Sequence, residues 1–351
     1  MPSGPLARLG VPLPVVVAPM AGGPSTPELV AAVGEAGALG FLAAGYRSAV
    51  QLEAQIARTR ALTDRPFGVN VFVPGSSSVD VAALDRYALR LAPVAQRLGV
   101  PLGDGRWDDD GYAGKLELLV AARVPMVAFT FGCPSAQDVE RLHGAGSLVA
   151  VTVTSPAEAV QAQRVGADAL VAQGAEAGGH QGCFDDDPHT PLGGAARPLA
   201  TLLAELAPTA PPPVIAAGGL MTGADIAGAL AAGAVAGQLG TAFLCCPEAG
   251  TSETHRRALA DPRFTATAFT RAFTGRTARG LVNDFLREHT ADAPAAYPWV
   301  HHLTRPLRAA AAERGDADTV HLWTGQGWRD IRPLPAAELV ATLAVELAAA
   351  R

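Results

Sequence analysis

Four times along this chain a helix-compatible stretch closes on a glycine and gives way to a short apolar run. These are GALGFLAAG from Gly37, GAGSLVAVTV from Gly144, GADALVAQG from Gly166 and GAVAGQLGTAF from Gly233. Several of the helices open with a hydroxyl followed three residues on by an acid: Ser135 with Asp138, Ser155 with Glu158, Thr222 with Asp225. That spacing caps a first helical turn, so start signal, helix, glycine stop and strand recur in order. Runs without polar alternation belong to strands covered on both faces, which means a parallel sheet flanked by helices. Eight such runs can be counted, at residues 13–18, 39–44, 67–73, 124–131, 148–153, 169–173, 214–217 and 237–243. The alternation predicts an α/β fold, a (β/α)8 TIM-type barrel. The segment after the first run, Pro19-Met20-Ala21-Gly22-Gly23, lacks the G-x-G-x-x-G that a dinucleotide-binding open sheet would place there.

Residues 1–246 are expected to form this barrel, with a long insertion at about 74–114 made of a helix and a polar loop. Residues 247–351 are expected to cap it, with helices at 249–260, 300–314 and 335–350 joined by segments such as TRAFTGRTARGLVNDF. At 351 residues and 49% hydrophobic, the chain has enough apolar mass for one large core with such an appendage. The net charge of −6 and the lack of a basic stripe argue against nucleic acid and anionic membranes as partners. Cys133, Cys183, Cys245 and Cys246 have neither disulfide-framework nor zinc spacing, which fits a reducing, cytoplasmic setting and no metal. No apolar run reaches the roughly 18 residues of a membrane span, and Met1 to Gly10 does not read as a signal peptide.

In a barrel of this kind the ligand sits at the C-terminal ends of the strands. Those ends read PMAGG with Pro19, Met20 and Ala21, then GY, NVFVP with Asn70, FGCP, VT, QGAEAGGHQG from Gln173, AAGGL with Gly218 and Gly219, and QLGTAF with Gln238, Leu239, Gly240 and Thr241. The last two are small, N–H-rich turns beside helix starts, the arrangement that binds one phosphate. Asn70 and Gln173 are amides able to face a flat heterocycle. In QGAEAGGHQG, Gly178 and Gly179 let backbone approach a ligand closely, and His180 beside them can take and give a proton near neutral pH. Alone, such a histidine reads more readily as a solvated or capping residue of a tight turn. Its company at the other strand ends makes it a candidate base.

The segments APMAGG-STPELVAAVGEAGALGFLAAGY, GVNVFVP, FTFGCPS, QGAEAGGH, AAGGL, QLGTAFL, TRAFTGR, YPWVHHLTRPLR and HLWTGQ together resemble the class I FMN-dependent nitronate monooxygenases, from Val17 to about Gly327. The resemblance implies FMN held around Met20, by Asn70, Gln173, Gly178 and Gly179, with its phosphate at Gly218, Gly219 and Gln238 to Thr241. His180 falls on the family's catalytic histidine. At Gln181 the chain departs from relatives that carry arginine, which removes a cation that would draw in an acidic nitronate such as propionate 3-nitronate.

The implied reaction is oxidation of alkyl nitronates, and of neutral nitroalkanes, by O2 to a carbonyl compound and nitrite. His180 would remove the proton α to the nitro group, and the rate would rise with pH through its titration. Tyr297 is the candidate for the substrate mouth. Trp323 reads more simply as a packed side chain, and Asp185-Asp186-Asp187-Pro188-His189 as an exposed acidic loop. His301 and His302 cannot share a helix face, so they do not make a joint metal site. Two alternatives stay open at this level: an FMN-dependent enoyl-acyl-carrier-protein reductase using NAD(P)H, and a flavin-binding protein without turnover.

Overall fold

The computed structural model describes residues 4–190, 192, 196–209 and 211–350. Its strands are β1 (Val15–Val17), β2 (Leu39–Ala43), β3 (Gly68–Phe72), β4 (Met126–Thr130), β5 (Leu148–Val153), β6 (Ala169–Gln173), β7 (Gly179–His180), β8 (Val214–Ala217), β9 (Ala236–Leu239), β10 (Thr267–Thr270) and β11 (Ala278–Leu281). Eight of them, β1 to β6 with β8 and β9, close into a parallel barrel in sequence order, and Val16 pairs with Gln238 at the seam. Helices connect them, so this is the TIM-type barrel that the repeated unit predicts. The caps at Ser135, Ser155 and Thr222 form as expected, Thr222 and Asp225 making both halves of a capping box. Two details differ. The left-handed residue after the helix ending at Gly144 is Gly146, and the eighth strand stops at Leu239, where Thr241–Phe243 turns into a 3-10 helix.

Strand periodicity decides what the barrel offers at its mouth. On β6, Ala169 and Val171 face the barrel interior with Phe41, Met126, Ala128, Leu148 and Ile215, whereas Leu170 and Ala172 pack under the helices. Continuing by twos, the topmost inward positions are Asn70, Thr130, Thr152, Gln173 and Gln238. An apolar plug therefore ends in a ring of amides and hydroxyls. The plug is tight enough that a Cβ on Gly68 would lie 2.2 Å from the Phe41 ring, so only glycine fits there.

The rim is built from two distant parts of the chain. The insertion forms a helix, Val81–Leu98, whose Leu84, Tyr87, Leu91, Val94 and Leu98 pack on Trp299, Leu303 and Leu307 of helix Trp299–Glu313. Truncating a fully buried contact such as Leu91 to alanine there costs about 2–5 kcal/mol. Residues after 246 divide between two places. Helix Trp299–Glu313 stands over the mouth, but helix Ala336–Ala349 buries Leu339, Val340, Leu343 and Leu347 against the barrel's outer helices, beside Leu29 and Ile226.

The segment TRAFTGRTARGLVNDF, residues 270–285, contributes a strand, and the end of another, where the sequence suggested only a connection. β10 and β11 form an antiparallel hairpin, and β7 joins it with His180 opposite Ala278. β10 reads TAFT and β11 ARGL, too short and too mixed for an apolar run to announce them. No helix among the described residues is long and apolar enough to cross a membrane.

Candidate active site

Above the polar ring lies one cavity of about 1120 Å³. Pro19, Met20, Ala21, Asn70, Gln173, Gly178, Gly179, Gly218, Gly219, Gln238, Gly240 and Thr241 all line it, as do His180 and Tyr297. Leu239 does not: it is the outward residue at the end of β9, and its side chain is buried in the core beneath the helices. Only its backbone is near the mouth.

One side of the cavity is a backbone cradle. Gly218 and Gly219 adopt φ of 111° and 72°, and the amides of Gly219, Leu220 and Gly240 donate to no other described group. Unpaired N–H groups on such turns suit an anion. Gly178 touches the segment 324–325 so closely that a Cβ would lie 2.4 Å from Thr324 C and Gly325 N. The Gly325 amide in turn donates to Thr241 Oγ1 at 2.9 Å. Asn70 accepts from Thr130 Oγ1 through Oδ1 (2.9 Å), and no described group takes its amide N–H bonds. Gln173 spends both ends of its amide on the protein itself. Its Nε2 donates to His180 O (3.1 Å) and its Oε1 accepts from Gly182 N (2.7 Å), so the side chain clamps the segment that carries the histidine.

The opposite side is made of side chains. His180 sits among three rings, with centroids at 5.5 Å from Trp323, 5.7 Å from Phe131 and 6.1 Å from Tyr297. Its Nε2 is 2.9 Å from Thr274 Oγ1, which also lies 3.3 Å from Arg276 O. With the hydroxyl proton given to that carbonyl, Oγ1 accepts from Nε2–H and leaves Nδ1 as the unprotonated nitrogen. Burial, then the charges of Arg276 and Arg308, push the His180 pKa down to about 3. The imidazole is therefore neutral at any ordinary pH. Trp323, which the sequence suggested was mere packing, is part of this wall. Tyr46 and Phe131 hold left-handed φ of 66° and 76°, a strain of order 1–3 kcal/mol each, and both face the cavity.

Residues 7–346 match the nitronate monooxygenase family. The nitronate monooxygenase of Paraburkholderia phytofirmans is 41% identical, covering 97% of this chain and 94% of its own. That of Pseudomonas aeruginosa is 40% identical over 97% of each chain. Among solved structures, the nitroalkane oxidase of Streptomyces ansochromogenes superposes with a TM-score of 0.96 at 54% identity, covering 99% of both chains. This chain belongs to the nitronate monooxygenase family.

As a member of that family it is an oxidoreductase, and several of its cavity residues lie outside what sequence reasoning singled out. Arg276, just behind the lining, places its guanidinium 4.0 Å over the Phe131 ring and donates to Cys183 O. Tyr46 stacks on His301 at 4.2 Å and 3°. Arg308 lies on the same helix as His301 and lines the cavity. A signal for Arg308 existed in VHHLTRPLRAAAAE, where no acid falls three or four residues away to pair with it. His302, by contrast, turns from its neighbour and pairs with Asp108 of the insertion at 2.8 Å.

The acidic run after His180 is not simply exposed. Asp186 accepts from Arg271 Nη2 (2.7 Å), Thr277 N (2.8 Å) and Thr277 Oγ1 (2.7 Å), and so ties the histidine segment to the hairpin. Burial raises its pKa, but the Arg271 bonds outweigh that and hold it below the usual carboxylate range. Among the described residues no cluster of three or more His, Cys, Asp or Glu is placed to hold a metal. Burial pushes the thiols of Cys133 and Cys183 up to about 11, which leaves both unreactive as nucleophiles.

Proposed function

We propose that this protein is an FMN-dependent nitronate monooxygenase that oxidises alkyl nitronates, and neutral nitroalkanes after deprotonation, to a carbonyl compound and nitrite. The observation that carries the reading is the neutral His180, set across one cavity from a glycine cradle with unpaired amides. The cradle suits FMN: Gly218, Gly219, Gly240 and Thr241 would hold the terminal phosphate, and Asn70, Gly178, Gly179 and the backbone of Pro19 to Ala21 the ring system. When bound, the flavin supplies the electron transfer and oxygen activation that nitronate oxidation needs.

The protein's own residues manage a proton and a charge. His180 Nδ1 takes the proton α to the nitro group, Thr274 fixes the ring by accepting from Nε2–H, and the electron pair left on carbon moves onto the nitro oxygens. A substrate that arrives as the nitronate needs only the second half of this arrangement. Phe131, Tyr297 and Trp323 exclude water from the reacting carbon. The segment 247–351 thus adds Tyr297, His301, Arg308 and Trp323 to the substrate wall beside His180 and Phe131, while residues 1–246 contribute most of the cofactor floor.

The test is the source of electrons. The purified protein should release FMN on denaturation, and an alkyl nitronate added without oxygen should change the flavin spectrum while NADH and NADPH leave it oxidised. Rapid bleaching by either nucleotide would instead identify an enoyl reductase. His180→Asn should keep its flavin, lose most activity on nitroethane and lose much less on ethyl nitronate.

A further inference from the structure

Arg308 is a cation without a counter-ion. Its Nε donates to Thr304 Oγ1 (3.1 Å), and Nη2 to His301 O (2.9 Å) and His301 Nδ1 (3.3 Å). Its Nη1 has no hydrogen-bond partner, and no carboxylate pairs with it among the described residues. Asp110, which lines the chamber, is committed to Lys115 at 2.6 Å, and Asp186 to Arg271. Burial lowers its pKa to about 10, which leaves it fully charged in neutral solution.

Other cations on the cavity do not share this state. Arg106 pairs with Asp108, Arg47 lies within 3.1 Å of the Gln55 amide and Arg305 is exposed to solvent, while Arg276, behind the Phe131 ring and outside the lining, uses its guanidinium on Cys183 O and that face. A half-buried guanidinium with a free N–H on the chamber wall is costly unless something negative arrives there. Its field already reaches the reacting end of the chamber, since it contributes to the lowering of the His180 pKa.

Building on the reading of this site as one that ionises nitroalkanes, we propose that Arg308 binds the nitro oxygens of the substrate and carries the negative charge that appears on them. When Cα–H is broken, its proton goes to His180 Nδ1 and its electron pair becomes the C=N bond of the nitronate. The unit of charge this places on the two oxygens then faces Nη1 of Arg308. A base held neutral by burial and nearby cations is intrinsically weak, and the same cation that weakens it stabilises its product. The two effects have one origin. For a neutral nitroalkane the interaction strengthens as the transition state is approached, so it should appear in kcat; for a preformed nitronate it exists in the ground state and should appear in KM.

The experiment uses the flavin-loaded protein, with Arg308→Met and Arg308→Lys, and with Arg86→Ala, exposed on helix Val81–Leu98 and off the cavity, as control. Nitrate, a planar anion that mimics the nitronate head, is titrated against the visible spectrum of the bound flavin. Arg308→Met should weaken nitrate binding at least tenfold and lower kcat on nitroethane by about 10²-fold, as loss of a charge-stabilising donor typically does. On ethyl nitronate its KM should rise while kcat changes little. Arg308→Lys should recover most nitrate affinity, and Arg86→Ala should match wild type. Wild-type nitrate affinity in Arg308→Met with flavin bound would overturn the proposal, whether or not nitroalkanes prove to be substrates. Should the methionine variant fail to retain flavin, a crystal structure of the wild type with nitrate decides: the anion within hydrogen-bond distance of Nη1 supports the assignment, and an anion elsewhere in the chamber, or none at saturation, refutes it.

Discussion

The pH dependence of nitroalkane oxidation should not display the titration that a free histidine would give. An ordinary imidazole with a pKa near 6.5 is about 3% unprotonated at pH 5 and nearly all unprotonated at pH 8, a roughly 30-fold difference in available base. With its pKa near 3, His180 stays about 99% unprotonated at pH 5. The expected result is that kcat/KM for nitroethane stays within a factor of two between pH 5 and the onset of substrate ionisation. Oxygen consumption at substrate concentrations well below KM, run in parallel on wild type and His180→Asn, measures it. The nearest complication, His255, is itself pushed down to about 4 by burial and does not reach this window. A 30-fold fall in the wild type centred near pH 6.5 and absent from the variant would refute the account: His180 would still be the base, but in a wet, unperturbed setting, and its partnership with the Arg308 charge would lose its premise.

Three further outcomes follow from the packing. Gly178→Ala places a Cβ 2.4 Å from the 324–325 backbone, so the cradle must shift; flavin content after purification should drop sharply while the far-ultraviolet circular dichroism spectrum is retained. Lys115→Met leaves Asp110 beside Tyr46 without its ammonium partner, and denaturant unfolding should show a loss of about 3–5 kcal/mol. His180, His255, His301 and His321 all have pKa values lowered first by burial, so the unfolded chain binds their protons more readily. Stability contributed by their neutral forms is complete above about pH 6.5 and lost as pH falls toward each folded value. Each contributes a slope of up to about 1.4 kcal/mol per pH unit, measurable in urea midpoints at pH 7, 6 and 5.

Much of this was legible in the sequence because it rests on local rules. Apolar runs between capped helices give strands, and a TIM-type barrel has a fixed ligand end, so Asn70, Gln173, His180 and Gly218 could be located from the order of residues alone. What escaped was set by tertiary contact. β10 and β11 are four-residue strands, TAFT and ARGL, too short to stand out as runs, and β7 exists only because the hairpin pairs with it. Arg308, His301 and Trp323 lie far beyond His180 in sequence, and nothing local in a helix says which of its faces will look into a chamber. Leu239 shows the reverse error: it belongs to the right strand end, but the two-residue period turns its side chain outward.

The division of the cavity into a floor of backbone and a wall of side chains has a consequence for how such a protein can change. Amides and glycine turns do not depend on which side chains surround them, so the wall can accept substitution without loosening what the floor holds. The outer part of that wall is supplied by the insertion and by helix Trp299–Glu313, which carries His301 and Arg308, and the two pack on each other through Tyr87, Leu91, Trp299 and Leu303. The two form a transplantable unit. Exchanging both together between relatives should carry substrate preference with them, whereas exchanging either alone would break their shared apolar seam before it altered selectivity.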